Sequence, residues 1–258
     1  MENNRVTILE PKLAIIDAHH HLIGSDSHSY TLEDYQKDCA GGHKIVGSVY
    51  IEVRQRYYNE GPSFLRPIGE TEFVAGLYDT IASGGQNLCQ GIIGYADLEL
   101  GQKIGDALDA HIEAGKGKFK GIRRGLYWSG DQAVYDHVSI RPRAELMLDP
   151  NFRSGFAQLQ PRGLTFDAVL FHPQLTELAN LAKSFPDTII VLNHVGFKLG
   201  VGTYLNDREQ VFKEWRNGLK LVSNCPNVMV KIGGLGMKIW GFGVENNKED
   251  HKKLAGAW

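Results

Sequence analysis

Histidines fall at Asp17-Ala18-His19-His20-His21, at Phe171-His172-Pro173 and at Asn193-His194-Val195-Gly196. Imidazole carries protons near neutral pH and, when neutral, ligates zinc and related divalent ions. Each site ends a short apolar run: Leu13-Ala14-Ile15-Ile16, Ala168-Val169-Leu170-Phe171 and Ile189-Ile190-Val191-Leu192. Such runs read as buried strands. Histidines at the C-terminal ends of parallel strands meet at one mouth, which in a (β/α)8 barrel is where chemistry is done. Side chains alternate across a strand, so His19 and His21 share one face and His20 takes the other. The His-x-His pair can place two nitrogens on one metal ion, and His20 is left out of the site.

The elements that must position these residues are also readable. Strand patterns cover 13–19, 47–53, 91–97, 118–124, 166–172, 188–194 and 228–232. Between them lie helical stripes. Phe73, Leu77 and Ile81 fall in 69–82, and Ile104, Ala107, Leu108 and Ile112 in 103–114. Leu175, Leu178, Ala179 and Leu181 fall in 174–184, and Val211, Phe212, Trp215, Leu219 and Val222 in 208–222. Each stripe is the face that packs on a sheet. Alternating strands and helices give a parallel α/β sheet. The expected fold is a TIM-type (β/α)8 barrel forming a single domain over residues 1–258.

Seven strands are used by residue 232, and Gly233–Gly243 is a glycine-rich loop. Residues 246–258 read as the start of a helix, so the barrel is expected to be truncated after strand 7, with exposed edges on its first and seventh strands. Two long connections follow strands and should rise over the mouth. Residues 54–68 hold Arg56, Tyr57, Tyr58 and Pro62; residues 125–150 hold Tyr127, Trp128, Arg141, Pro142 and Arg143. Arginines and aromatics there suit a polar, anionic substrate.

Bulk composition narrows the class. The 258 residues carry a formal net charge of −2 and 42% hydrophobic residues, which fits one ordinary globular core. Near-neutral charge argues against nucleic acid or an anionic membrane as partner. A small-molecule substrate fits better, and a homo-oligomer stays open. Cys39, Cys89 and Cys225 are odd in number and widely spaced, which gives no disulfide framework or thiolate zinc site and fits a cytoplasmic location. Met1-Glu2-Asn3-Asn4-Arg5 lacks the apolar stretch of a signal peptide.

Four segments taken in order carry a resemblance across nearly the whole chain. They are Asp17-Ala18-His19-His20-His21-Leu22, Lys120-Gly121-Ile122-Arg123, Phe185-Pro186-Asp187 leading to Asn193-His194-Val195-Gly196, and Val230-Lys231-Ile232-Gly233-Gly234-Leu235. The chain resembles the amidohydrolase-related TIM-barrel hydrolases, in the branch that includes 2-pyrone-4,6-dicarboxylate lactonase and sugar-acid lactonases. The resemblance implies that His19 and His21 are the strand-1 pair, with His172 at the strand-5 position and His194 at the strand-6 position. It implies that these four hold one divalent metal ion, zinc or manganese foremost, or that the same pocket works without metal. Lys118 and Lys120 lie at the wrong end of their strand to bridge two metals. Arg123 or Arg124, at the correct end, matches a contact to a substrate carboxylate. The family's strand-8 aspartate has no match, and a chain lacking it is expected to be a weak catalyst.

The expected function is hydrolysis of a lactone or related carboxylic ester or amide. His172 and His194 are its candidate catalytic groups, and Arg123, Arg124 and Glu52 orient the substrate. The alternatives are metal-dependent non-oxidative decarboxylation and a non-catalytic remnant that only binds a ligand or partner.

Overall fold

The computed structural model describes residues 8–25, 28–83, 88–138 and 140–243. The helix start expected at 246–258 lies outside the described residues. The chain divides into two compact units. One comprises Met1–Ala96 with Asp106–Gly121, the other Asp97–Gly105 with Ile122–Trp258.

In the first unit, β1 (Ala14–His20) leads to a hairpin of β2 (Ile23–Ser25) and β3 (His28–Tyr30). Helix α1 (Leu32–Cys39) follows, then β4 (Lys44–Ile51), α2 (Ile68–Ser83), β5 (Gly91–Gly94) and α3 (Gly105–Ala114). Strand β6 (Phe119–Gly125) begins in this unit and ends in the other. β4 pairs in parallel with β1 on one side and β5 on the other. The register slips between Asp17 and His20, where β1 reaches its histidines. β4 and β5 are deeply buried at Tyr50, Ile51, Ile92 and Ile93, as are Val74 and Ala75 of α2 and Ala107 and Leu108 of α3. Helix α1 begins at a capping box, in which the Thr31 hydroxyl takes the Asp34 N–H and the Asp34 carboxylate takes the Thr31 N–H.

In the second unit, a 3-10 segment (Leu98–Ile104) precedes the end of β6. Then come α4 (Pro150–Phe156), β7 (Thr165–Val169), α5 (Leu175–Ser184), β8 (Ile190–Leu192), α6 (Arg208–Val222) and β9 (Val228–Val230). β7, β8 and β9 pair in parallel. The sheet order is sequential, β1-β4-β5-β6-β7-β8-β9, which is the strand order of a (β/α)8 barrel through its seventh strand. Among the described residues no eighth strand joins it.

The helical stripes are met in part: on α2 Val74 and Ala75 are buried while Phe73 of the expected stripe is exposed, and along 103–114 Ile104, Ala107 and Leu108 are buried while Ile112 is exposed. On α5, Leu175, Leu178, Ala179 and Leu181 are buried. On α6 the buried set is Val211, Trp215, Gly218 and Val222, not Phe212 and Leu219. The reason is contact with α5: a Cβ on Gly218 would sit 2.7 Å from Leu175, so α6 turns its glycine inward. The end strands carry exposed apolar side chains. Leu13 and Ile16 flank or sit on β1, and Met229, Val230 and Ile232 on or after β9, with Ile232 at 82% exposure.

Candidate functional site

Strand β1 ends by turning its histidines apart. Asp17 accepts the His19 backbone N–H at 3.0 Å through one oxygen and the Tyr35 hydroxyl at 2.8 Å through the other. Asp17 is therefore a clamp on the strand end, not a free base. His20 goes to the helix side, where it stacks on Tyr35 with ring centroids 4.0 Å apart and lies 3.5 Å from Cys89 Sγ. Burial pushes its pKa down to about 4.

His19 and His21 turn to the other face and meet edge to face, with their Nε2 atoms 3.3 Å apart. The Nδ1–H of His21 donates to the Ile51 carbonyl at 2.8 Å. That bond makes Nε2 the acceptor nitrogen of His21, and it is this atom that faces His19 Nε2. Two nitrogens each about 2.1 Å from one tetrahedral ion stand about 3.4 Å apart, so the pair has the spacing of two ligands of one ion. Among the described residues no set of three or more His, Cys, Asp or Glu side chains is gathered to hold an ion.

Glu52 follows Ile51 at the end of β4 and is buried. Its neighbourhood contains a carboxylate that sequence reasoning missed. Glu70, in the first turn of α2, is buried and accepts the Tyr50 hydroxyl at 2.7 Å and the Val53 N–H at 2.8 Å. Burial pushes its pKa up to about 7, with the nearby Glu52 adding to the rise. An acid in a first helical turn is ordinarily a solvated partner of the helix dipole, so nothing in the sequence separated this one from its exposed counterparts.

In the second unit, the end of β6 sends its two arginines to opposite faces. Arg124 is buried and bonds Glu99 at 2.7 Å, with Asp97 at 3.6 Å; Arg143 shares Glu99 and also binds Asp149. Arg124 was expected as a substrate contact, and this ion-pair cluster instead takes up its guanidinium. Arg123 faces the other way and acts electrostatically on His194. The remaining loop arginines also lie on their own units: Arg54 over Tyr95, Arg56 over Phe73 and Arg141 over Tyr135. Lys120 bonds the Gly117 carbonyl at the start of β6, away from the strand's exit.

His172 follows β7 and is buried. Its Nδ1 accepts the Leu199 N–H at 3.3 Å, so its proton sits on Nε2, which faces Glu214 of α6 at 3.7 Å. Nδ1 is thus occupied by the Leu199 N–H, while Nε2 is buried without a hydrogen-bond partner and only approaches Glu214. Burial lowers its pKa to about 4, against the pull of Glu214.

His194 is presented by an unusual turn. His194, Val195 and Gly196 have φ of 52, 54 and 59° in succession. Left-handed geometry at a β-branched residue is costly and persists only where neighbours impose it. Here the Trp215 indole N–H donates to the Val195 carbonyl at 2.8 Å, and the Val195 N–H donates to the Lys231 carbonyl. Gly234 is essential to the fit: its φ is 68°, and a Cβ there would lie 2.5 Å from His194 Nδ1. Beneath the turn lies a cluster absent from the sequence reading. Asp167, fully buried on β7, accepts Lys231 Nζ at 2.7 Å and Asn193 Nδ2 at 2.9 Å. Phe166 packs on Phe152 and Phe156 of α4, so alternation sends Asp167 to the opposite, inner face of the sheet. Burial holds the His194 pKa at about 4, with Arg123 and Lys231 pushing the same way against the Gly233 backbone bond. His194 is therefore a neutral imidazole among cations.

The family model for amidohydrolases matches residues 16–251. An uncharacterised protein, y4mH, from Sinorhizobium fredii is 32% identical over 248 residues, covering 91% of this chain and 77% of that protein. An amidohydrolase from Burkholderia multivorans, solved with bound zinc, superposes with a TM-score of 0.63 at 17% identity, covering 93% of this chain and 76% of that one. A probable 2-pyrone-4,6-dicarboxylic acid hydrolase from Acinetobacter baumannii, solved with citric acid, gives a TM-score of 0.51 at 11% identity over 93% of this chain and 91% of that one. The structural likenesses concern the fold; the sequence match along almost all of the chain carries the kinship, and the chain belongs to the amidohydrolase family of TIM-barrel hydrolases.

Proposed function

We propose that this hydrolase opens a lactone, or cleaves a related carboxylic ester or amide, of an anionic small molecule, with one divalent ion at His19 and His21. The observation that carries the reading is the 3.3 Å approach of the two Nε2 atoms, with the His21 tautomer set by the Ile51 carbonyl. When bound, zinc or manganese would polarise the substrate carbonyl and acidify water. In the second unit, Arg123 acts on His194 and would attract a carboxylate or a carbonyl oxygen that gains negative charge, while Lys231 is paired with Asp167. His194, kept neutral, offers a hydrogen bond without adding a charge to the site. His172 accepts the Leu199 N–H through Nδ1, and its buried Nε2 stays open as a second candidate group.

The test is a panel of carboxylated and uncharged lactones assayed with zinc or manganese, with products identified. Ring opening of a carboxylated lactone, lost with metal chelation and in His19→Ala and His21→Ala, is the expected result. Carbon dioxide release without ring opening would reassign the chemistry to decarboxylation. Failure of the wild-type chain to bind a divalent ion would remove the metal from the reading.

A further inference from the structure

The two residues on which the His21 tautomer and the buried acid depend, Ile51 and Glu52, are held from outside the histidine pair. Glu70 reaches back from α2 with a single oxygen, Oε1. It accepts the Tyr50 hydroxyl at 2.7 Å, the Val53 N–H at 2.8 Å and the Gln55 N–H at 3.3 Å. These donors bracket Ile51 and Glu52 on both sides. None belongs to α2, so the carboxylate is not capping its own helix. The turn it holds is one that a chain leaves readily: Arg54 and Arg56 have φ of 61 and 58°, a region that non-glycine residues avoid. Glu70 is only 3% exposed, so water cannot take over its three acceptor roles. Tyr50 provides a second link, since its ring meets His20 edge to face at 5.8 Å, between the two candidate ligands in the chain.

We propose that Glu70 is a positioning residue for the metal pair: together with the Glu52 N–H bond to the Ile93 carbonyl at 2.8 Å, which holds the same peptide plane, it fixes the turn after β4 and sets the Ile51 carbonyl that holds His21 as its Nδ1–H tautomer. This rests on the reading of His19 and His21 as metal ligands. A metal's outer partners are typically worth about 10–100-fold in affinity, and Glu70 would act one step further out, through the backbone.

The experiment uses the full chain labelled with 15N in histidine. The metal-free protein's His21 tautomer is read by long-range 15N–1H correlation, and zinc affinity by competition with a chelating dye. Wild type is expected to show Nδ1–H. Glu70→Gln retains an acceptor oxygen and should keep both the tautomer and the affinity to within about threefold. Glu70→Ala and the shorter Glu70→Asp should give a tautomer mixture and weaken zinc by at least about tenfold. Thr71→Val is the control. It removes the neighbouring 2.8 Å contact to His111 on the same helix and should move neither readout. If Glu70→Ala does not fold, Glu70→Asp carries the test. A Glu70→Ala or Glu70→Asp variant with the wild-type tautomer and affinity would overturn the proposal. So would a Thr71→Val variant that shifts the tautomer as far as they do. A tautomer that follows Glu70 in a chain that binds no zinc would uphold the positioning role and refute the metal reading.

Discussion

Asp167→Asn should destabilise the protein more than any change at an exposed charge, because it leaves Lys231 buried without its counter-ion. Asp167 is 1% exposed, and the Lys231 side chain 14%. One oxygen of Asp167 takes both the ammonium at 2.7 Å and the Asn193 amide at 2.9 Å. Breaking a buried pair by neutralising one partner costs about 3–5 kcal/mol. Lys231 retains some solvent, which places the expected loss near the lower bound, at about 3 kcal/mol. For a chain of this size, each kcal/mol lowers Tm by about 2–4 °C, so the shift should be about 6–12 °C. Calorimetry and urea melts measure it. The double variant Asp167→Asn/Lys231→Met removes both charges and should recover at least half of the loss, which identifies the pair and not the packing as the cause. A single-variant shift below about 2 °C, or no recovery in the double variant, would refute the account of this cluster as a desolvated ion pair.

Two further predictions follow from the same geometry. Arg123→Met should lower kcat/KM on a carboxylated lactone by at least about tenfold with little change in Tm, whereas Arg124→Met should lower Tm and leave kcat/KM within about threefold; the reverse pattern would exchange their roles. Stability should fall as pH drops from about 6.5 to about 4, because His20, His111, His172 and His194 each have folded pKa values near 4, below the unfolded 6.5, so the unfolded chain takes up protons first. Glu70, raised to about 7, works the other way between about 4.5 and 7, but it is one group against four. A flat urea midpoint across that range would contradict the burial assigned to these imidazoles.

The alternation rule carried sequence reading a long way at β1. A period of two separates His20 from its neighbours, and the structure stacks it on Tyr35 while His19 and His21 meet on the other face. The helical stripe was fully legible only on α5, where all four residues are buried; Phe73 on α2 and Phe212 on α6 keep the helical period but face outward. Arg123 and Arg124 were not separable in the sequence. Both stand at the exit of β6, and only the position of Glu99, 25 residues away, shows which one is neutralised within the protein. His172 shows the same limit: strand-end placement was readable, but the Leu199 N–H that claims its Nδ1 arrives from the loop after β8.

The groups that sequence reading missed share one physical property. Glu70, Asp167 and Lys231 are charged residues that alone would read as surface. Each becomes informative only when folding buries it against a partner far along the chain: Glu70 against the exit of β4, and Asp167 against Lys231, 64 residues on. A charge taken out of water must be matched, and its partner is set by strand order, not by local spacing. Local pattern thus identifies which residues stand at strand ends. The non-local pairing of charges decides how each is held, and at β6 that pairing joins Arg124 to Glu99 while Arg123 acts on His194.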